Sequence, residues 1–320
     1  MKTDEIRPKE LFRRYLDLSR TDGDRLDRAQ FTAVSCPACG SSDSAKKFEK
    51  NAFNYLVCRA CNSLYCSPRP TDAQLTSLYE QSDSAKYWSE VFSPAVAEVR
   101  REKMFRKKAA DLFTLLQNKR IAPRTVCDVG AGHGVFLEEL QAKLTKAKMF
   151  AVEPNPKAAQ VCESKGIETL VSIAQEAQSW SGRFDLVISS EVIEHVFSPN
   201  HFVQSLFNLA APGGYVLMTG LGYEGFDILN LQEHSESVFP PHHLNFLSVK
   251  GFERLFTDVG FSDVQIMTPG ILDLDIVLNN EACPEFVRVL ATRGEEALRE
   301  FQALLAKHRL SSHIWVLARK

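Results

Sequence analysis

The chain has 320 residues, 44% of them hydrophobic and 24% charged, an ordinary globular composition with room for one full α/β domain and a smaller module. Its apolar runs are far too short to cross a bilayer. Its start, MKTDEIRPKELFRRY, lacks the apolar core and cleavage site of a signal peptide, so a cytoplasmic protein without a membrane span is expected. The net charge of −2 is uneven: residues 1–125 carry 23 basic and 16 acidic side chains, residues 126–320 carry 15 and 24, which suits an anionic ligand at the first part.

In chain order, residues 1–30 read as a charged helical arm. Residues 31–70 are rich in cysteine and turns and close on Ser67-Pro-Arg-Pro70. Two pairs stand there, Cys36-Pro-Ala-Cys39 and Cys58-Arg-Ala-Cys61, with 18 residues between them. A C-x2-C pair puts two thiolates on one tight turn, and two such turns supply a tetrahedral S4 shell. About forty residues bury too little to fold alone, so a zinc ion would supply the missing stabilisation, closed and structural. Disulfides or a redox pair are the competing uses, and a cytoplasmic setting disfavours the first. Cys66, Cys127, Cys162 and Cys283 read as buried thiols.

Residues 71–122 read as linking helices. Val96, Val99, Phe105, Ala109, Leu112 and Leu116 recur at helical spacing, which makes RREKMFRKK (100–108) the wet face of an amphipathic helix. From 123 the pattern changes to short apolar strands alternating with helices, hence α/β with a largely parallel sheet. Strands are predicted at 125–129, 148–152, 168–171, 184–189, 214–219, 263–267 and 313–318, with a helical insertion at 271–309 that begins where strand ends face the acceptor and would serve as a lid.

The first of these strands runs into Asp128-Val-Gly-Ala-Gly-His-Gly134. Gly130, Gly132 and Gly134 let backbone approach a ligand at the carboxyl end of a strand. The spacing is not the G-x-G-x-x-G of a dinucleotide site, and no P-loop is present. Asp128 would repel phosphates but attract an ammonium group. The next strand ends in Glu153, whose carboxylate can accept both hydroxyls of a ribose.

These segments, with Ala151-Val-Glu-Pro154, Phe184-Asp-Leu-Val-Ile-Ser-Ser-Glu-Val-Ile-Glu-His195 and Leu209-Ala-Ala-Pro-Gly-Gly214, resemble successive motifs of class I S-adenosylmethionine-dependent methyltransferases. With the cysteine pairs ahead, the chain resembles the zinc-ribbon-bearing group, often linked to surface saccharides or secondary metabolites. The resemblance implies a Rossmann-like seven-stranded sheet of order 3-2-1-4-5-7-6. It also implies cofactor roles for Asp128, Gly130, Gly132, Gly134, Glu153, Pro154, Ser190 and Glu191, with Ser172 and Ile173 near the adenine.

An oxygen acceptor needs a base. Glu191 and His195, four apart after the fourth strand, are one candidate pair. Glu233-His234 reads as a surface loop. Phe239-Pro-Pro-His-His-Leu-Asn-Phe246 resembles an element lying across the acceptor pocket of related methyltransferases, which makes His243 the expected general base and His242 a substrate contact. The acceptor expected is a small molecule, a saccharide or natural product methylated on a hydroxyl, possible forms being an anionic saccharide or a nucleotide-linked sugar. Sugar C-methylation and RNA methylation through the basic N-terminal region are the alternatives. The near-neutral charge and the Ser189-Ser-Glu-Val ending of the fourth strand disfavour nucleic acid.

Overall fold

Seven short strands form one sheet, and its inner ones are apolar enough to be covered on both faces. The computed structural model describes residues 2–320. Three strands come first in the chain and belong to another sheet: β1 (Ser44–Lys50), β2 (Phe53–Cys58) and β3 (Leu64–Cys66). The large sheet takes β4 (Thr125–Val129), β5 (Lys148–Val152), β6 (Glu168–Leu170), β7 (Phe184–Ser190) and β8 (Ala210–Leu221). The two-residue β9 (Asn245–Phe246) intervenes, and β10 (Ser262–Met267) and β11 (His313–Arg319) complete it.

The order is β6-β5-β4-β7-β8-β11-β10, which is the 3-2-1-4-5-7-6 arrangement expected. β11 is antiparallel to both of its neighbours, and β4 to β8 pair in parallel. Alternate residues feed two cores. Val126, Ala151, Leu186 and Leu217 face the helices Arg106–Asn118 and Val135–Gln141, while Cys127, Val152, Val187 and Val216 face Pro199–Leu209 and Val249–Val259. β8 begins four residues before the predicted 214, because Ala210 already pairs with Phe184 and the register then slips through the Gly213-Gly214 stretch.

The cysteine segment does not stand apart from the sheet domain. β1, β2 and β3 are antiparallel, and β3 then pairs with β9 through Leu64↔Phe246 and Tyr65↔Asn245, so the last strand of this small sheet comes from the Pro-Pro-His-His segment. The arm is helical at Lys9–Asp24, and Phe12 and Tyr15 on it pack on Phe92, Val96 and Phe239. Between β10 and β11 lie three helices, Asp273–Leu278, Glu285–Ala291 and Glu295–Lys307. They pack on the Phe226–Leu231 helix that follows β8, with Phe226 and Phe301 rings 5.4 Å apart, and Thr3 N–H donates to Asp275 at 2.6 Å. Among the described residues no helix is long and apolar enough to cross a membrane.

Candidate active site

Parallel strands deliver their carboxyl ends to one edge, and the glycine turn follows β4 there. Gly130, Gly132 and Gly134 all have positive φ (79°, 53° and 69°), where side chains are strained. A Cβ on Gly130 would stand 2.7 Å from Val192, and one on Gly134 3.0 Å from Cys162 Sγ. Gly132 N–H donates to Glu153 Oε2 at 2.7 Å and Asn155 N–H to Oε1 at 2.9 Å, so the acid ending β5 braces the turn. Each carboxylate oxygen keeps a further lone pair for a ligand.

Asp128 is buried, and its Oδ1 has no hydrogen-bond partner. Burial pushes its carboxyl up to about 7, against the pull of Lys108. Ser190 Oγ is likewise buried without a partner. Pro154 is exposed beside Glu153, and beyond β6 Ser172 is half-buried and the Ile173 side chain stands exposed. An unsatisfied acid beside an open glycine cradle, with an apolar side chain free across it, fits the ammonium and the adenine of S-adenosylmethionine.

Glu191 ends β7 in the left-handed region (φ 55°), a conformation that costs a non-glycine residue about 1–3 kcal/mol and is tolerated where surroundings fix it. Its Oε1 accepts from the Thr219 hydroxyl at 2.6 Å and lies 3.7 Å from Lys108 Nζ and 3.6 Å from His313 Nδ1. Burial works against its charge, but His313, Lys108 and Thr219 hold its carboxyl down at about 2. Glu191 also acts on Arg7 and Arg100. Among the described residues neither guanidinium has a carboxylate within 4.0 Å, and Arg100 Nε is buried without a partner.

The turn after β7 then presents Glu194 and His195, and the Pro-Pro-His-His segment lies against it. Leu244 N–H donates to the Glu194 carbonyl at 2.8 Å. His195 and His243 have ring centroids 4.6 Å apart, edge to face. Glu194, His195 and His243 each bring a ligand-capable atom within 4.8 Å of the other two. His243 Nδ1 lies 2.7 Å from the Ser237 carbonyl oxygen, and burial, with His195 beside it, pushes the imidazole well below its usual range. His242 points elsewhere: its Nε2 is 3.0 Å from Ser84 Oγ, under the helix Asp83–Tyr87, and the ring is buried. Glu233 and His234 lie on an exposed turn.

The four cysteines Cys36, Cys39, Cys58 and Cys61 cluster with Sγ atoms within 4.8 Å of one another, 3.5 Å for Cys36–Cys61 and 3.6 Å for Cys39–Cys58. Corners of a ZnS4 tetrahedron with 2.3 Å bonds are about 3.8 Å apart, so the donors fit the ion. Cys66 is buried outside the cluster, its thiol at 3.5 Å from the Pro68 carbonyl.

The profile of the methyltransferase-domain family matches residues 100–266, just over half of the chain and the stretch from Lys108 into β10. The chain belongs to the class I methyltransferases. Among curated relatives of this methyltransferase are the ubiquinone biosynthesis O-methyltransferase of Chromobacterium violaceum, 30% identical over 108 residues, and the mitochondrial one of Arabidopsis thaliana, 34% identical over 98. These matches cover 32% and 29% of the chain, and 46% and 30% of the relatives, so the chain spans less than half of either one's length. In fold it is similar to the plantazolicin methyltransferase BamL, solved with S-adenosylhomocysteine (TM-score 0.51, 17% identity, 77% of this chain and 94% of that one). It is also similar to human N-acetylserotonin methyltransferase, solved with S-adenosylmethionine (0.50, 15%, 78% and 60%).

Part of the methyltransferase's crevice was not legible in the sequence. Lys108 is not on a wet helix face, since its Nζ reaches in to Thr219 Oγ1 at 2.8 Å and its side chain is 13% exposed. Arg101 meanwhile pairs with Glu138 and Glu139, and Arg106 with Glu139. The signal was available: Lys108 is three after Phe105 and four before Leu112, on the apolar stripe. His313 and Arg7 had no local motif to single them out, and Glu194 stands inside the Phe184–His195 motif with only its neighbours Glu191 and His195 given a role. Nor did any motif mark the braces of the Pro-Pro-His-His loop, where Tyr55 OH donates to the His243 carbonyl at 2.6 Å and buried Arg69 Nη1 donates to Asn245 Oδ1 at 2.9 Å. Asn245 in turn donates to the carbonyls of Ile193 and Val196.

Proposed function

We propose that this protein transfers the methyl group of S-adenosylmethionine to a hydroxyl oxygen of a small-molecule acceptor, a saccharide or natural product bearing an anionic group. The observation that carries it is the meeting, at one sheet edge, of the glycine cradle with its orphaned Asp128 and the cluster of buried Glu194 and His243 with half-buried His195. When bound, the sulfonium supplies an electrophilic methyl, so the protein's work is alignment and removal of one proton. Asp128 takes the ammonium, Glu153 the ribose hydroxyls, and Gly130, Gly132 and Gly134 the close backbone approach. Pro154, Ser172 and Ile173 border the adenine, and Ser190 and Glu191 the reacting end.

The acceptor's proton leaves at the cluster, where His243 is the group in reach. With Nδ1 bonded to the Ser237 carbonyl, its Nε2 is the atom that can accept. Arg7 and Arg100, without carboxylate partners among the described residues, support an anionic group on the acceptor, and the 271–309 helices with the N-terminal arm cover that side as a lid. We assign Cys36, Cys39, Cys58 and Cys61 to one structural zinc.

Isothermal titration tests the first part: S-adenosylhomocysteine is expected to bind and NAD not to, and the reverse result would sink the proposal. Methyl transfer from labelled S-adenosylmethionine across hydroxylated sugars, phosphosugars and phenols tests the second. Metal analysis of protein purified without a histidine tag should give one zinc per chain, and a value near zero removes the assignment.

A further inference from the structure

Glu194, His195 and His243 meet where the turn after β7 packs on the Pro-Pro-His-His segment. Glu194 is 1% exposed, yet its Oε2 has no hydrogen-bond partner. His195 Nδ1 is 3.1 Å from the His242 carbonyl oxygen, and His243 Nδ1 2.7 Å from that of Ser237. A carbonyl only accepts, so His243 Nδ1 carries the proton and its Nε2 the lone pair; His195 Nδ1 also has the Tyr79 hydroxyl at 3.0 Å, and takes the same tautomer when that hydroxyl donates to the His242 carbonyl at 3.3 Å. A backbone carbonyl on the far ring nitrogen is also the usual outer support of a metal-bound histidine.

The separations agree with that use. One ligand-capable atom from each residue lies within 4.8 Å of the other two. Ligands about a cation with bonds of 2.0–2.1 Å stand about 3.3 Å apart in a tetrahedron, so an inward shift of about an ångström completes the set. The frame that holds it is rigid: Glu194 and His195 are consecutive, and the Glu194 carbonyl accepts from the N–H groups of Leu244 and Asn245, which locks the two loops together. Two imidazoles with one carboxylate select a borderline transition metal over magnesium or calcium, and three protein ligands leave positions open.

We propose that Glu194, His195 and His243 bind one divalent transition-metal cation whose open positions take oxygen atoms of the acceptor. The proposal rests on the same cluster being the acceptor-activating group and changes how it works: the imidazole of His243 becomes a ligand in place of a base, the acceptor oxygen is held and acidified by the cation, and its proton passes to solvent water before that oxygen takes the methyl group.

The test uses the full chain, dialysed against a mild chelator until only the cysteine-bound metal remains, then titrated with Mn2+ in the presence of S-adenosylhomocysteine. Calorimetry and the electron-paramagnetic signal of free Mn2+ should report one ion bound per chain. Binding should weaken at least tenfold in Glu194→Gln and in His243→Ala, with S-adenosylhomocysteine affinity unchanged as the check on folding. No Mn2+ bound by the wild type, or unchanged binding in both variants, overturns the proposal. Should a variant fold poorly, Co2+ in the wild type gives an independent answer: paramagnetically shifted proton signals from two histidine rings support the site, and their absence overturns it. Full methyl transfer by the metal-free protein would overturn the cation while leaving the methyltransferase assignment standing. Mn2+ bound through these three residues with no hydroxyl methylated would do the opposite.

Discussion

The two halves of the crevice, the one proposed for the cofactor and the one proposed for the acceptor, are built in different ways. The cofactor half is local: Asp128, Gly130, Gly132, Gly134 and Glu153 lie within 26 residues of chain, on two adjacent strands, and brace one another through Gly132 N–H and Glu153. The acceptor half is assembled from afar. Tyr55 and Arg69 come from the cysteine-bearing sheet, Glu194 and His195 from the turn after β7, and His243 and Asn245 from the segment that ends in β9. A local half is preset by chain geometry, whereas a distant one depends on every contact that brings its segments together, so it should break more easily and in more ways.

The largest break should come at the centre of the acceptor half. His243→Ala is expected to lower kcat by about 10²–10⁴ while S-adenosylhomocysteine affinity, measured by calorimetry, stays near wild type, because its proposed role concerns the acceptor alone. Equal losses in both would erase the distinction between the halves.

Next comes the brace of the cofactor half. Glu153→Ala removes the acceptor of Gly132 N–H and Asn155 N–H as well as any ribose contact, each charge-assisted bond contributing about 1.5–3 kcal/mol. Cofactor affinity should fall by about 10–100-fold, with the acceptor KM little changed in steady-state kinetics.

A smaller effect should follow pH. Burial raises the Asp128 carboxyl to about 7, and a ligand ammonium binds its ionised form. As pH falls below about 7, binding must displace a proton, so affinity should drop by up to about tenfold per unit. Titrations from pH 8 to 6 check this, and Asp128→Asn should flatten the acid side of the profile. A steep fall persisting in that variant would place the proton elsewhere.

The smallest break is remote. Tyr55→Phe removes one 2.6 Å bond to the His243 carbonyl, a net contribution of about 0.5–1.5 kcal/mol. A fall in kcat of about threefold to tenfold is expected, with zinc content and cofactor affinity unchanged. No change in kcat would show that the loop holds its shape without the cysteine-bearing sheet.

The same contrast explains what could be read from the chain alone. The strand order and the Asp128–Glu153 half rest on contiguous patterns, with a glycine turn after one strand and an acid after the next. Spacing therefore carries the geometry. The acceptor half rests on pairings between residues 128 to 188 positions apart, such as Arg69 with Phe197 and Tyr55 with His243, which no local period records. Lys108 shows the middle case. Its helix was evident and its place on the apolar stripe could be counted, but a run of six basic residues within nine reads as a wet face until Thr219 and Glu191 are seen opposite it.

The pairing of β3 with β9 also bears on how this chain can be handled. All three residues of β3 are buried, and its outer edge is covered only by β9 and by the Cys66 N–H bond to the Leu244 carbonyl. A fragment cut after residue 70 would bare that edge, with Leu64, Tyr65 and Cys66 beside unpaired amide and carbonyl groups, the kind of surface that recruits a second strand. Such a fragment should self-associate even when loaded with zinc, and the remainder should lose the partner strand that steadies Asn245. The four-cysteine sheet is therefore not a detachable part, and any unit for expression, crystallisation or fusion must keep β3 together with β9.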